Sequence, residues 1–208
     1  MEARTKQRAH RNLSLSERVA LRAAQPLIFR RIRNLLGGRL SYASSGGAAL
    51  PLETEEFFAN LGIPIYQGYG LTECSGCATT SNPAARRPGS VGKPIPGVTI
   101  WIDRKVDQAP DDEGEVIISG YGIMEGYHNL PAETVQTVND RGALRTGDLG
   151  RVDPNGYLFI TGTLKNIYKL ANGRYVAPAP LEAKLQGSPY IAQCMICGAN
   201  QAHNVALI

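Results

Sequence analysis

The run IPIYQGYGLTE, Ile63 to Glu73, decides the fold. It opens on apolar residues, as a chain leaving a buried strand does. It then sets Tyr69 between Gly68 and Gly70, and Thr72 beside Glu73. Upstream, LPLETEEFFANLG reads as a helix, with Pro51 near its first turn and Gly62 past its end. Before that helix, RLSYASSGGAAL reads as a short strand running into a small-residue turn. Strand, helix, strand in this order predicts a parallel βαβ unit.

In such a sheet, ligands bind beyond the carboxyl ends of the strands. Gly68 and Gly70 would let the backbone approach a ligand closely. Tyr69 can offer a flat face to a nucleobase. Thr72 can donate to a phosphate oxygen. Glu73 can help hold Mg²⁺, which favours oxygen ligands and often bridges to phosphates. On the neighbouring strand's exit, Gly46 and Gly47 allow close approach, and Ala48 and Ala49 leave room for a planar ring. Further on, LRTGDLG predicts Asp148 in a tight turn between strands, where its carboxylate could accept two hydrogen bonds from a ribose diol. Each piece has a plainer reading: a glycine-rich strand exit with a surface Glu, and an Asx-type turn residue.

The rest of the 208 residues falls into two further textures. After SNPAARRPGS come short strands with Gly, Pro, Asp and Asn between them: VGKPIPGVTIWID, GEVIISG and GYLFITG. They predict a small antiparallel sheet or barrel, with PAETVQTVN adding a helical turn or two. From Thr163, LKNIYKLANGRYVAP carries a turn, APLEAKLQGSP a short helix and YIAQCMICGA a strand. The expected division is therefore residues 1–88 as α/β, 89–162 as a barrel-like β subdomain, and 163–208 as the start of an α+β unit. The sequence stops at HNVALI, inside an apolar strand-like run, which reads as a cut end.

Charge is uneven. Net charge is +4, yet residues 1–40 hold ten Lys or Arg against two Glu, so the remainder is net negative. A helix from about Glu17 to Leu36, capped by Ser14 or Ser16 and kinked at Pro26, would carry that basic face. Such a helix could lie on an anionic membrane, but packing on the domain is its commoner use, and no nucleic-acid partner is expected. No apolar run reaches membrane-span length, and MEARTKQRAHRNLS lacks the apolar core of a signal peptide, so the expected location is cytoplasmic, with peripheral membrane association left open. The four cysteines form two C-x-x-C pairs, Cys74/Cys77 and Cys194/Cys197. The gap of 116 residues far exceeds zinc-knuckle spacing, so buried free thiols are expected.

The motifs SGGAAL, YGLTE, RTGDLG and GTLKNIYKLANGRYVAP occur in the order of the adenylate-forming acyl-CoA synthetases, and the chain most resembles the long-chain fatty acid–CoA ligases. The resemblance implies a two-step reaction using ATP, Mg²⁺ and CoA. A fatty acid carboxylate attacks the α-phosphorus of ATP, and the CoA thiol then displaces AMP from the acyl-adenylate. It implies that Gly47 and Ala48 belong to the adenine loop, and that Tyr69 lies against adenine. It also makes Thr72 the phosphate contact, Glu73 the Mg²⁺ ligand and Asp148 the ribose ligand. Lys165 would be the hinge of a rotating C-terminal domain, and Gly173 would lie near the pantetheine path. Two departures stand out: Thr163 where the family usually has Arg, and Ala143 where it often has Trp. The family's upstream phosphate loop and its C-terminal lysine find no match, so the resemblance implies an internal slice of a longer enzyme, inactive alone. A carrier-protein thiol as acceptor, or a non-catalytic nucleotide-binding module, are the alternatives.

Overall fold

The computed structural model describes residues 29–106 and 112–208. The chain enters through α1 (Arg30–Leu35), which stops where Gly37 and Gly38 take left-handed backbone angles and their N–H groups bond back to Asn34 and Arg33. The expected helix before residue 29, with its serine caps and Pro26, lies outside the described residues.

Strand β1 (Ala43–Ser45), helix α2 (Leu52–Asn60) and strand β2 (Ile65–Tyr69) form the expected βαβ unit, with β1 and β2 parallel. Helix α2 has Pro51 at its N-cap and Glu53 and Glu55 in its first turn, where carboxylates suit the helix dipole. It ends at Gly62, whose φ of +81° lets the N–H of Ile63 bond back to Phe58. Two short antiparallel strands complete this sheet, β3 (Thr79–Thr80) and β4 (Lys93–Pro94), in the order β1-β2-β3-β4.

The second sheet is a four-stranded antiparallel meander: β5 (Val98–Asp103), β6 (Gly114–Gly120), β7 (Leu144–Val152) and β8 (Leu158–Thr163). It is an open sheet rather than a barrel among the described residues. Helix α3 (Pro131–Thr137) is inserted between β6 and β7. The two sheets share one core: Cys74 and Ala78 from the first region pack with Val116, Ile118, Leu144 and Leu158 from the second. Each of the larger side chains contributes roughly 1.5–3 kcal/mol by leaving water. Residues 90–92 tie the sheets edge to edge, with Ser90 Oγ and Val91 N–H donating to the Leu158 carbonyl. A division at 88/89 would therefore cut between two strands of one sheet and through a shared core.

Beyond β8, a turn at Leu164–Asn166 leads to the β9 (Tyr168–Lys169) and β10 (Tyr175–Val176) hairpin, helix α4 (Pro178–Gln186), and the antiparallel pair β11 (Met195–Cys197) and β12 (Val205–Leu207). Glu182 on α4 accepts the N–H of Ile196 at 2.7 Å, fastening helix to strand. All four cysteines are free, but only Cys74 is buried. Cys77 is exposed and Cys194 and Cys197 are half-buried, correcting the expectation of four buried thiols. Among the described residues, no helix is long and apolar enough to cross a membrane.

Candidate functional site

Glycine follows both parallel strands, Gly46 after β1 and Gly70 after β2, and a crevice of about 570 Å³ opens there. Its walls are Ser45, Gly46 and Gly47 from the β1 exit, and Gly68, Tyr69, Gly70 and Thr72 from the β2 exit, with Tyr66, Cys77 and Thr80 beside them. Of the residues expected here, Gly47, Gly68, Tyr69, Gly70 and Thr72 line it. Ala48 and Ala49 are exposed and do not.

The glycines have distinct uses. Gly47 sits at φ +79°, and a side chain there would meet nothing, so backbone conformation demands it. Gly70 is different: a Cβ would stand 2.5 Å from the carbonyl oxygen of Gly76 and 2.8 Å from the Cα of Cys77. At Gly68 it would lie 3.1 Å from the Thr79 carbonyl oxygen. The space that the sequence seemed to reserve for a ligand at Gly68 and Gly70 is filled by the chain's own returning backbone. That packing folds the loop over the turn Thr72–Cys74, where the buried Cys74 thiol bonds to both backbone groups of Leu71.

Asp148 does not line the crevice itself; it meets the crevice wall at Tyr69 from the other sheet. It does not sit in a turn between strands, as the sequence suggested, but in the middle of β7, within a register shift against β6 and beside another against β8. Two β6 steps, Glu115 to Ile117, face four β7 steps, Leu149 to Arg145. The extra residues form a bulge. Side chains hold it. Thr146 Oγ1 donates to the Val116 carbonyl at 2.8 Å and accepts the Asp148 N–H at 3.0 Å. The buried Glu115 carboxylate accepts the Gly147 N–H at 3.0 Å and Arg145 at 2.9 Å. Gly147 takes φ +70° at the apex.

The lifted Asp148 carboxylate is gripped by two hydroxyls. Tyr69 Oη donates to Oδ2 at 2.7 Å, and Thr163 Oγ1 donates to Oδ1 at 3.1 Å. Burial pushes the Tyr69 phenol far above its usual range, and the Asp148 charge adds to this, against a smaller opposing effect of the Thr146 hydroxyl. Tyr69 therefore stays a donor. Each carboxylate oxygen has a second lone pair, so a diol could still be accepted alongside both hydroxyls. Nothing in the sequence foretold the roles of Thr146 and Glu115. The Ser/Thr two residues before an Asp was the available signal for the first.

Glu73 is half-buried on the Thr72–Cys74 turn, and its Oε1 accepts the Tyr127 hydroxyl at 2.8 Å. That bond holds the Tyr127 phenol above its usual value. Oε2 has no hydrogen bond among the described residues. No cluster of three His, Cys, Asp or Glu able to hold a metal occurs among the described residues. A lone carboxylate with one free oxygen fits Mg²⁺, which commonly takes one or two carboxylates and fills its shell with waters and phosphate oxygens. Lys165 is exposed on the turn after β8, and Gly173, at φ +87°, closes the β9–β10 hairpin. Neither lines the crevice.

A model of the family described as AMP-binding enzyme matches residues 4–128. The chain belongs to the AMP-binding enzyme family. Among its relatives, the long-chain-fatty-acid–CoA ligase FadD15 of Mycobacterium bovis is 39% identical over 182 residues, covering 88% of this chain and 29% of its own length. The long-chain-fatty-acid–CoA ligase ACSBG1 of Macaca fascicularis is 35% identical over 189 residues, covering 90% of this chain and 26% of its own length. The chain thus spans under a third of these relatives. Among solved structures, the o-succinylbenzoate CoA synthetase MenE of Bacillus subtilis in complex with its acyl-adenylate intermediate superposes with a TM-score of 0.71 at 27% identity, over 84% of this chain and 38% of that one. The same protein with ATP and magnesium ion gives 0.70 at 28% identity, with the same coverage of both chains. The α/β sheet, meander and third region of this AMP-binding chain are thereby part of an adenylate-forming enzyme fold.

Proposed function

We infer that this chain is the AMP-gripping part of a long-chain fatty acid–CoA ligase. In that reaction a fatty acid carboxylate attacks the α-phosphorus of ATP, releasing pyrophosphate. The CoA thiol then attacks the acyl-adenylate carbonyl and AMP departs. The observation that carries the reading is the meeting of the β2 exit with Asp148, through the Tyr69 hydroxyl at 2.7 Å. It gives the crevice, with its glycine-lined floor, aromatic ring and Thr72 hydroxyl, a carboxylate behind its Tyr69 wall. The likeness to ligases in both sequence and fold supports the choice of chemistry.

In this reading the Gly47 loop, with Ala48 and Ala49 beyond it, borders the adenine, and Asp148 accepts the ribose hydroxyls. Thr72 donates to a phosphate oxygen, and Glu73 holds Mg²⁺ by its free oxygen. When bound, Mg²⁺ would neutralise charge on the phosphates. Positioning and charge neutralisation supply most of what nucleotidyl transfer needs. Lys165 is the pivot for the third region, and Gly173 borders the CoA path. CoA is the preferred acceptor. One observation favours a binding module instead: Thr163 stands where the resemblance calls for Arg, and its hydroxyl is spent on Asp148.

Calorimetric titration of the 208-residue chain tests the reading. AMP should bind, 2′,3′-dideoxy-AMP should bind about tenfold more weakly, and Asp148→Ala should abolish that preference. Absence of AMP binding at millimolar nucleotide, or an unchanged preference in the variant, would sink it. Fatty-acid-dependent pyrophosphate release from this chain alone is not expected. Measuring it with palmitate and ATP, then offering CoA or a carrier-protein thiol to a ligase that contains these residues, separates the acceptors.

A further inference from the structure

The Thr72–Cys74 turn is held from outside at three points, all by one short stretch between β6 and α3. Ser75 Oγ donates to the Gly122 carbonyl at 2.8 Å. Met124 N–H donates to the Glu73 carbonyl at 2.9 Å. Tyr127 Oη donates to Glu73 Oε1 at 2.8 Å. The first two fix backbone, and only the third fixes the carboxylate. Tyr127 is itself anchored: its N–H donates to Thr134 Oγ1 at 2.9 Å, and that hydroxyl donates to the Leu130 carbonyl at 2.8 Å. Gly126 allows this approach, since a Cβ there would lie 2.7 Å from the Thr134 methyl.

A glutamate on a three-residue turn has rotamer freedom that a metal ion would have to quench on binding. The phenol removes that freedom beforehand. It also engages a single oxygen, so Oε2 stays open with no hydrogen bond among the described residues. A bond whose purpose was only to tie the two loops together would be served by the Ser75–Gly122 and Met124–Glu73 bonds already present.

We propose that Tyr127 is a positioning residue that orients Glu73 for the divalent cation of a nucleotide–metal complex. The proposal rests on the nucleotide reading of the crevice, and extends it to a residue outside the crevice walls. Outer partners of metal ligands commonly tune metal affinity by 10–100-fold, and about tenfold is expected here.

The test uses the 208-residue chain with ATP and Mn²⁺, followed by the electron-spin resonance of free Mn²⁺, alongside calorimetry with metal-free AMP. Tyr127→Phe keeps the ring and removes the hydroxyl. It should weaken Mn²⁺ in the ATP complex about tenfold and leave AMP affinity unchanged. In a Glu73→Gln background, the same change should add nothing further. Equal Mn²⁺ affinity in wild type and Tyr127→Phe overturns the proposal. So does a loss that hits AMP equally or persists in the Glu73→Gln background, since either marks a purely structural bond. If wild type binds neither AMP nor Mn²⁺–ATP, the nucleotide reading fails and this proposal falls with it. If AMP binds and the Mn²⁺ difference is absent, only Tyr127's role falls.

Discussion

On the β1–β2 side the crevice is lined mainly by strand exits, where glycines let loops turn and pack. On the β7 side, Asp148, which meets the crevice wall through the Tyr69 hydroxyl, stands on a bulge that regular strand pairing would not make. Both sides rest on a buried carboxylate. Glu55, 1% exposed, accepts Gln67 Nε2 at 2.9 Å, Arg86 at 2.6 Å and the Gly89 N–H at 2.9 Å, binding α2, β2 and the 86–89 loop together. Glu115, 4% exposed, holds the Gly147 apex and Arg145. The first staples three segments of scaffold, and the second shapes a few residues. Buried charge can thus serve global stability or local geometry, depending on how many separate segments its partners come from.

Four changes sharpen that contrast. Glu55→Ala should cost most, about 3–5 kcal/mol, because Arg86, only 13% exposed at its side chain, is left without its partner. Urea denaturation would measure this. A loss below about 1 kcal/mol would make Glu55 no staple at all.

Gly70→Ala should come next, at about 2 kcal/mol, because the new methyl meets rigid backbone at Gly76 rather than a yielding side chain. Thermal melts would show it. An unchanged melting temperature would mean the loop is not packed as described.

Glu115→Gln should cost about 1–2 kcal/mol of stability, moderated because Arg145 is 45% exposed at its side chain. Its larger effect should be local, a several-fold loss of AMP affinity as the Thr146–Asp148 bulge relaxes. Intact AMP binding would show that Thr146 alone holds the bulge.

The smallest effect concerns pH. Burial alone would raise the Asp153 carboxyl, but the N–H groups of Tyr157 and Asn155, with Arg87, outweigh it and hold it below its usual value. A depressed carboxyl contributes stability above the unfolded value, near pH ~4, and loses it as pH falls through the folded value. Asp153→Asn should therefore flatten the acid side of the stability–pH curve. A curve unchanged in shape would exclude this contribution.

Much of the scaffold was legible in the residues. The βαβ unit followed from Pro51, the α2 pattern and Gly62, because helix ends leave orphan backbone groups that few residue types satisfy. The crevice position followed from two glycine-rich exits on adjacent parallel strands. Less legible were β3 and β4, two residues each, too short to carry an alternating pattern of their own. Asp148 was found as a residue and misplaced as a turn. The sequence TGD carries a turn's local signal, whereas the deciding interactions come from Glu115 and Val116 on β6, about 30 residues away.

The residues by themselves determined the order of the elements, the glycine at Gly47 and the identity of the groups at Thr72, Glu73 and Asp148. Those follow from backbone angles and side-chain chemistry, which are local properties. Only the tertiary structure decided that Gly70 makes room for the chain itself, that Tyr69 and Thr163 share Asp148, and that Tyr127 reaches Glu73. Each of these is a contact between segments distant in sequence or folded back on one another, and close packing, rather than local preference, selects such partners.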